Sequence, residues 1–331
     1  MSYDGKILRR AAEQYESDKA ARSAQFAARR ERLFCQIPEL EEIDRQLRGT
    51  MSEIISSALR RGTDPLPAIR VIRDKNLSLQ QRRAELLRQA GYPEDALEEK
   101  PSCPLCGDTG YRGGEMCRCL RQYYSREQIR ELSKLLDMGG ASFETFSFAW
   151  YSSEPGELGI SPRENMERNY DICQDYAYQF GPRSGNLLLC GEPGLGKTFL
   201  SACVARVVSE NGFSVVYDTA AHVFSRFESD KFQREDGEDA QSDVNRCMQC
   251  DLLILDDLGT EMTTSFVQSA LYQIVNGRLL SGKKTLINTN LSLDEIQRRY
   301  SPQIRSRLEG EYQILPFFGE DIRPRKRSAQ N

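Results

Sequence analysis

Two patterns of apolar residues divide the chain. Up to about residue 100, apolar residues recur every three or four positions, which is the spacing of one face of a helix. The clearest series is Leu33, Ile37, Leu40, Ile43, Leu47, Met51 and Ile54. Pro38 is expected in the first turn of a helix and not in its interior, where its ring would break the hydrogen bonding. Ser78 and Gln81 resemble a capping box, so another helix is predicted to begin at Ser78 and to end before Gly91 and Pro93.

From residue 186 onward, short apolar runs alternate with helical stretches. The runs with the length of strands are NLLLC, FSVVYDTA, DLLILDD and KTLINTN. Each precedes a helical stretch, from TFLSACVARVVSE to LDEIQRRY. Strands of this length that alternate with helices form a parallel sheet with helices on both faces, so the predicted fold class is α/β. The acid-rich segment 228–243 is predicted to be a solvated loop or the end of a helix.

Composition limits the classes of protein that fit. The chain has 331 residues, a formal net charge of −4 and 28% charged residues, and this length suits two domains with a small module between them. It lacks a signal-like start and any apolar run near the ~20 residues of a membrane span, so we expect a cytoplasmic protein without membrane contact. The net charge gives no overall signal for nucleic acid, and DNA contact would need a local basic patch such as RPRKR at 323–327. The single histidine, His222, excludes most histidine-based catalysis and is predicted to be a packed or surface residue.

The segment GEPGLGKT at 191–198 fits the phosphate-binding loop G-x-x-x-x-G-K-[ST]. It lies between a predicted strand and a predicted helix, as this motif requires. Glycines let backbone N–H groups turn toward phosphate oxygens, Lys197 supplies a cation for the β- and γ-phosphates, and Thr198 supplies a hydroxyl for Mg²⁺. The predicted nucleotide-binding residues are Gly191, Glu192, Pro193, Gly194, Leu195, Gly196, Lys197, Thr198 and Phe199.

Two further strand ends carry candidate catalytic groups. DLLILDDLG places Asp256 where a carboxylate reaches the Mg²⁺ shell, and Asp257 where ring-type ATPases more often have a glutamate that deprotonates the attacking water. TLINTN ends in Asn290, which is well placed to touch the γ-phosphate or that water.

Three arginines near the end of the chain are candidates for stabilising phosphoryl charge, because a guanidinium is planar and always charged. Arg305 and Arg307 follow a predicted helix, where an arginine acting in trans would face a neighbouring subunit's γ-phosphate. Arg307 is preferred because an apolar residue follows it. Arg323 is the candidate for a nucleotide-sensing arginine in cis.

Four cysteines follow the helical third with the spacing C-x₂-C-x₁₀-C-x-C: Cys103, Cys106, Cys117 and Cys119. Two close pairs on either side of a Gly-rich, hairpin-like stretch can bring four thiolates to a tetrahedral Zn²⁺. With four protein ligands there is no open position for water, so a structural zinc is predicted. The competing C-x-x-C redox site should open a helix in a thioredoxin-like unit, and no such pattern is present. The other cysteines are predicted to be small packing residues: Cys35, Cys173, Cys190, Cys203, Cys247 and Cys250.

Taken together, residues 101–323 resemble the bacterial replicative-helicase loaders of the DnaC/DnaI type, in the AAA+ ATPase superfamily, and the related IstB-type transposition helpers. The most specific segments are GEPGLGKTFLSACVA, YDTAAHVFSRFE, CDLLILDDLGTE, NTN and SRLEGEYQILPFFGEDIR. The resemblance implies a P-loop ATPase that binds ATP, Mg²⁺ and single-stranded DNA, with residues 222–232 touching the DNA. It also implies an N-terminal domain that grips the hexameric helicase, and a zinc cluster comparable to those of such loaders.

The predicted organisation is a helical docking domain (1–100), a zinc module (101–120), a linker (121–150), an AAA+ core (151–323) and a basic tail (324–331). The leading hypothesis is an ATP-controlled helicase loader that forms a homo-oligomer in its ATP state. The alternatives are a transposase helper ATPase and an ATP-binding scaffold with little turnover, which the shorter Asp257 keeps open. Small-molecule kinases share the phosphate loop but lack the Asn290 and late-arginine arrangement.

Overall fold

The computed structural model describes residues 3–59, 66–136, 141–155, 159–231 and 237–325; side chains are not described at 50–59, 66–72, 132–136 and 237–242. The chain forms two compact units. One comprises Gln14–Cys117, and the other combines Met1–Glu13 with Arg118–Asn331. None of the described helices has the long apolar stretch that a membrane span needs.

The Gln14–Cys117 unit is helical and ends in a small hairpin. Its elements are α1 (Gly5–Gln36, whose first residues belong to the other unit), α2 (Pro38–Leu59), α3 (Leu66–Gln89), β1 (Tyr111–Arg112) and β2 (Glu115–Met116). Its core contains Leu33, Leu40, Ile43, Leu86, Leu87, Ala96 and Leu97, with Ile37 and Leu47 packed against it. These include five members of the predicted apolar face; Met51 and Ile54, the other two, have no described side chains.

The helix boundaries in this unit are partly as predicted. Helix α2 begins at Pro38, as expected for a residue without an N–H group. The predicted start at Ser78 is wrong, because α3 runs continuously from Leu66 to Gln89. The Ser78 hydroxyl donates to the Lys75 carbonyl at 2.8 Å inside the helix, so it does not cap a helix start. Gly91, at φ 78°, follows the end of α3 as predicted.

The other unit contains the parallel sheet. Its helices are α4 (Arg118–Leu136), α5 (Pro162–Tyr178), α6 (Lys197–Glu210), α7 (Ala220–Lys231), α8 (Gly237–Gln249), α9 (Ser265–Leu280), α10 (Leu293–Arg299) and α11 (Pro302–Glu311). Its strands are β3 (Asn186–Gly191), β4 (Val215–Thr219), β5 (Leu252–Leu258), β6 (Lys284–Thr289) and β7 (Tyr312–Phe317). The four predicted strands are confirmed, whereas sequence analysis did not identify β7, α5 or most of α8.

All five strands are parallel, in the order β4-β5-β6-β3-β7. Successive residues of β3 enter opposite cores: Leu187 and Leu189 pack with α5 and α6, and Leu188 packs with α7 and α9. The predicted α/β sheet with helices on both faces is therefore confirmed. The carboxyl ends of β3, β4, β5 and β6 meet at one edge, where ligands bind in open parallel sheets.

The cysteines predicted to pack differ in their exposure. Cys173, Cys203 and Cys247 are buried, and burial raises the pKa of each thiol to about 12, so they are unreactive. Cys250 is also buried, and Cys190 is partly buried. The prediction is wrong for Cys35, which is exposed. Cys35 comes two residues after the buried Leu33, which places it about 200° around the helix.

Candidate nucleotide-binding site

The phosphate-binding loop connects β3 to α6 and depends on glycine. At Gly191 (φ 140°) an added Cβ would overlap the Phe317 carbonyl, because β7 runs close beside the strand end. At Gly196 (φ 93°) an added Cβ would lie 2.8 Å from the Tyr151 hydroxyl oxygen. The same hydroxyl donates to the Leu195 carbonyl at 3.1 Å. The loop is thus held in a conformation that other residues would strain.

Lys197 is buried inside this loop. Its Nζ donates to the carbonyls of Gly191 at 2.6 Å and Glu192 at 2.8 Å. No ion pair to Lys197 forms within the described part of the chain. Burial lowers the pKa of the ammonium, although Asp257 and Asp256 act in the opposite direction. A desolvated cation that is held only by carbonyls fits an anionic phosphate ligand.

The remaining loop residues differ in exposure. Leu195 is buried, and Glu192 and Pro193 are exposed. Phe199, in the first turn of α6, lies 5.6 Å from Phe146 between ring centroids. Ile322 donates its N–H to the Gly194 carbonyl at 3.2 Å, which brings the segment after β7 against the loop.

Asp256 is the most enclosed carboxylate at this edge of the sheet, with 4% of its surface exposed. Its Oδ1 accepts from Thr198 Oγ1 at 3.3 Å and from Asn288 Nδ2 at 2.7 Å, and its Oδ2 accepts from the Tyr217 hydroxyl at 2.8 Å. Thr198 and Asp256 were predicted to share a metal, and the structure brings them together. Hydroxyl and carboxylate oxygens are the donor types that Mg²⁺ requires, so the two residues fit that ion.

Asp257 lies in an irregularity of β5. The register with β6 shifts between Leu255 and Leu258, and Asp257 has φ 53°. Such a bulge re-aims side chains next to a site. The surrounding protein and the charge of Asp256 raise the pKa of the Asp257 carboxyl, and Lys197 and Arg323 act in the opposite direction. Asp257 is exposed, whereas only 4% of the surface of Asp256 is exposed.

Asn288 lies within β6 and Asn290 just beyond its end, and the two side chains have different surroundings. Asn290, the sequence candidate, is exposed just beyond β6, and its side chain bonds to no described residue. Asn288, which sequence analysis did not identify, is 1% exposed and donates to Asp256. Tyr217 was missed in the same way. Tyr217 directly follows two valines in β4 and Asn288 directly follows Leu286 and Ile287 in β6, and a polar group next to an apolar run was the available signal.

The three arginines are in distinct environments. Arg305 forms ion pairs with Asp294 and with Glu309, the latter at 3.1 Å. Arg307 is exposed on α11 and has no ion pair within the ranges that the structure describes. Arg323 is exposed after β7, and its charge acts on Asp257. Of the two candidates on α11, Arg307 is therefore the one whose guanidinium is not already held in an ion pair by a described residue.

The four cysteines converge as their spacing predicted. The Sγ atoms of Cys103, Cys106, Cys117 and Cys119 all lie within 4.8 Å of one another. Cys103 and Cys117 have Sγ atoms 3.8 Å apart. A tetrahedral zinc with Zn–S bonds of ~2.3 Å implies an S···S separation of about 3.8 Å. The cluster therefore fits a Zn²⁺ ion.

The backbone around the first cysteine pair is organised by a side chain. Asp108, at φ 57°, accepts hydrogen bonds from the N–H groups of Ser102 at 2.8 Å and Cys103 at 2.7 Å. Gly107 donates to the Cys103 carbonyl at 3.0 Å. The backbone conformation of the first cysteine pair is thus held by hydrogen bonds that do not involve its sulfur atoms.

His222 lies at the surface, which is one of the two environments predicted for it. Its side chain is 50% exposed and its Nδ1 lies 2.9 Å from Asp218 of the preceding strand β4. Sequence analysis identified no partner for it. Of the segment 222–232 that was expected to touch DNA, Phe232 lies outside the described residues, as does 326–331 of the basic tail.

Residues 171–328 match the family of IstB-like ATP binding proteins. The replicative helicase loader DnaC of Escherichia coli (strain K12) is 26% identical over 148 residues, which are 45% of this chain and 60% of the relative. The replicative helicase loader DnaI of Bacillus subtilis (strain 168) is 27% identical over 200 residues, 58% of this chain and 59% of the relative.

The resemblance to DnaC/DnaI-type loaders related to IstB proteins is thereby confirmed. A crystal structure of the DnaC helicase loader has a TM-score of 0.45 and 19% identity, and the match covers 55% of this chain and 99% of that one. The chain spans about half to three fifths of the length of the curated relatives it matches. The family match at 171–328 lies in the part of the chain that carries the parallel sheet.

Proposed function

We propose that this chain is an ATP-dependent loader of the replicative DNA helicase. The observation that carries the proposal is the joining of the phosphate loop to the strand-end carboxylate through Thr198 and Asp256, in a chain similar to DnaC and DnaI. The proposed ligands are ATP and Mg²⁺, and the proposed partners are the hexameric helicase, single-stranded DNA and further copies of the chain.

Each site residue has a proposed role in hydrolysis. The loop and Lys197 bind the triphosphate, and Thr198 and Asp256 hold the magnesium ion. That ion, when bound, neutralises charge on the transferring phosphoryl group. Asp257 orients and deprotonates the attacking water, for which its exposed position and raised pKa are suited.

Three further side chains complete the proposed site. Asn290 contacts the γ-phosphate or the water, and Arg323 senses the nucleotide in the same subunit. Arg307 reaches the γ-phosphate bound by a neighbouring subunit. The nucleotide state would then control contact between subunits, because a ligand shifts an equilibrium only through its difference in affinity for the two states.

The N-terminal parts have proposed roles as well. The helical domain (1–100) grips the helicase, and a structural zinc in the cysteine module (101–120) makes that region rigid. Residues 121–150 connect it to the ATPase core (151–323), which the basic tail (324–331) follows. The cytoplasm is the proposed location.

The test is co-purification of the full chain with the host's replicative helicase, with and without ATP. We expect helicase to be retained in a nucleotide-dependent manner. Lys197→Ala removes the only buried cation of the phosphate loop and should abolish ATP binding and that dependence. Arg206→Ala, an exposed substitution at a residue paired with Glu210, serves as the matched control. Retention that is identical with and without ATP, or no retention, would overturn the loader proposal.

A second candidate function is that of a transposase helper ATPase, which the match to the IstB-like family favours. A parallel pull-down against a transposase distinguishes the two, since each hypothesis expects only one partner. A low-turnover ATP-binding scaffold is the third candidate. Steady-state phosphate release in the presence of single-stranded DNA decides that question, because a scaffold would bind ATP without releasing phosphate.

A further inference from the structure

A buried polar cluster surrounds the carboxylate of Asp256. It consists of Tyr217 on β4, Ser201 on α6, and Asn288 on β6. Since β4 and β6 are the two neighbours of β5, Tyr217 and Asn288 approach Asp256 from opposite sides. The exposed fractions are 2% for Tyr217, 1% for Asn288 and 0% for Ser201.

The hydrogen bonds in this cluster converge on the carboxylate. The Tyr217 hydroxyl lies 2.8 Å from Oδ2 and 2.9 Å from Ser201 Oγ. Asn288 Nδ2 lies 2.7 Å from Oδ1 and 2.8 Å from Ser201 Oγ. Oδ2 therefore accepts from Tyr217, and Oδ1 accepts from Asn288 as well as from Thr198 and from the Asp257 N–H at 3.1 Å. Ser201 contacts both Tyr217 and Asn288 behind the carboxylate.

This arrangement fixes the orientation of Asp256. A carboxylate bonded through both oxygens cannot rotate about χ2 without losing a hydrogen bond in a buried site, which is costly. The donors thus select one orientation, in which Oδ1 faces Thr198 at 3.3 Å.

We propose that Tyr217 and Asn288 are positioning residues that hold Asp256 in the orientation required for magnesium. They touch neither the nucleotide nor the metal and act only through the carboxylate. The inference rests on the proposed function to the extent that the site binds magnesium-ATP, and it does not depend on the helicase or on DNA. Partners behind a metal ligand commonly change metal affinity or activity by about 10- to 100-fold.

The test uses Tyr217→Phe in the full chain, which removes one hydroxyl and keeps the ring. The affinity for a fluorescent ATP analogue is measured across a magnesium titration and again in EDTA. We expect the half-saturating magnesium concentration to rise about tenfold, while the affinity in EDTA stays within about twofold of wild type. The thermal midpoint is recorded to establish that the variant is folded.

The matched control is Tyr176→Phe. Tyr176 is a tyrosine on α5 whose hydroxyl donates to the Gly185 carbonyl at 3.1 Å, outside the nucleotide site. Its removal should leave the magnesium dependence unchanged. Asn288→Ala is the second variant, and it should show the same selective rise in the half-saturating magnesium concentration if the cluster acts as proposed.

The outcomes separate the two proposals. An unchanged magnesium titration in folded Tyr217→Phe would overturn the positioning role, as would an equal loss of affinity with magnesium and in EDTA. If wild-type protein bound the analogue with magnesium but did not retain helicase, only the loader proposal would fail. If wild-type protein did not bind the analogue at all, the nucleotide site itself would be excluded.

Discussion

Arg278 illustrates how a single residue can hold several elements together. Its side chain is fully buried on α9, and it donates to five oxygen atoms of neutral groups. These are the carbonyls of Cys247, Met248, Cys250 and Lys284 and the hydroxyl of Thr285. The carbonyls at the end of α8 carry partial negative charge, which compensates the buried guanidinium.

We predict that Arg278→Met lowers the free energy of unfolding by about 3–5 kcal/mol, because it leaves several buried carbonyls without donors. Chemical denaturation measures the change. Arg206→Met is the control: Arg206 is exposed and pairs with Glu210 on α6, so its loss should cost less than about 0.5 kcal/mol. A similar, small effect of both substitutions would contradict the structural role of Arg278.

At the scale of elements, the cysteine hairpin is too short to form a core of its own. Strands β1 and β2 contain two residues each, and Tyr111, Arg112 and Glu115 are exposed. So short a hairpin is at best marginally stable by itself. A metal bound by the four thiolates would supply the missing stability, because metal binding to such sites is coupled to folding.

We predict one equivalent of zinc per chain, measured by elemental analysis of the purified protein. Cys106→Ser should reduce the zinc content and make residues 103–119 sensitive to protease, and a strong chelator should have the same effect on wild type. Cys35→Ser changes an exposed cysteine outside the cluster and should keep full zinc content. A full equivalent of zinc in Cys106→Ser would contradict the four-cysteine site.

At the scale of the whole molecule, the charge of Arg323 acts on Asp257 of the candidate nucleotide site, and the two candidate arginines of α11 differ in their ion pairs. Arg305 is paired with Asp294 and Glu309, and Arg307 is exposed. The exposure of Arg307 and its lack of an ion pair in the described chain fit the proposed role at the site of another subunit. This distinction supports the choice of Arg307 over Arg305 as the trans-acting residue.

We predict that Arg307→Ala keeps ATP binding and lowers the hydrolysis rate by about 10³-fold or more. Arg305→Ala should have a much smaller effect. Mixing Arg307→Ala with Lys197→Ala should restore activity, because one variant binds ATP and the other still supplies Arg307. The rate of phosphate release is measured for Arg307→Ala, for Arg305→Ala and for the mixture. Loss of ATP binding in Arg307→Ala, or no recovery in the mixture, would contradict action in trans.

The sequence alone determined the alternation of strands and helices, the phosphate loop and the cysteine cluster. Each depends on spacing within a short segment, where the chain's own geometry relates the residues to one another. It did not reveal β7, whose run YQILPF carries no clear alternation. It also placed a helix start at Ser78, because a local capping pattern does not show that the preceding turn is helical too.

The residues that surround Asp256, and the ion pairing that distinguishes Arg305 from Arg307, become known only from the three-dimensional packing of the chain. Tyr217, Asp256 and Asn288 lie on three neighbouring strands, 32 or more residues apart along the chain, and meet because the sheet places those strands side by side. The pairing of Arg305 likewise depends on how α10 and α11 pack. Contacts between distant segments follow from strand order and helix packing, and spacing along the sequence does not contain that information.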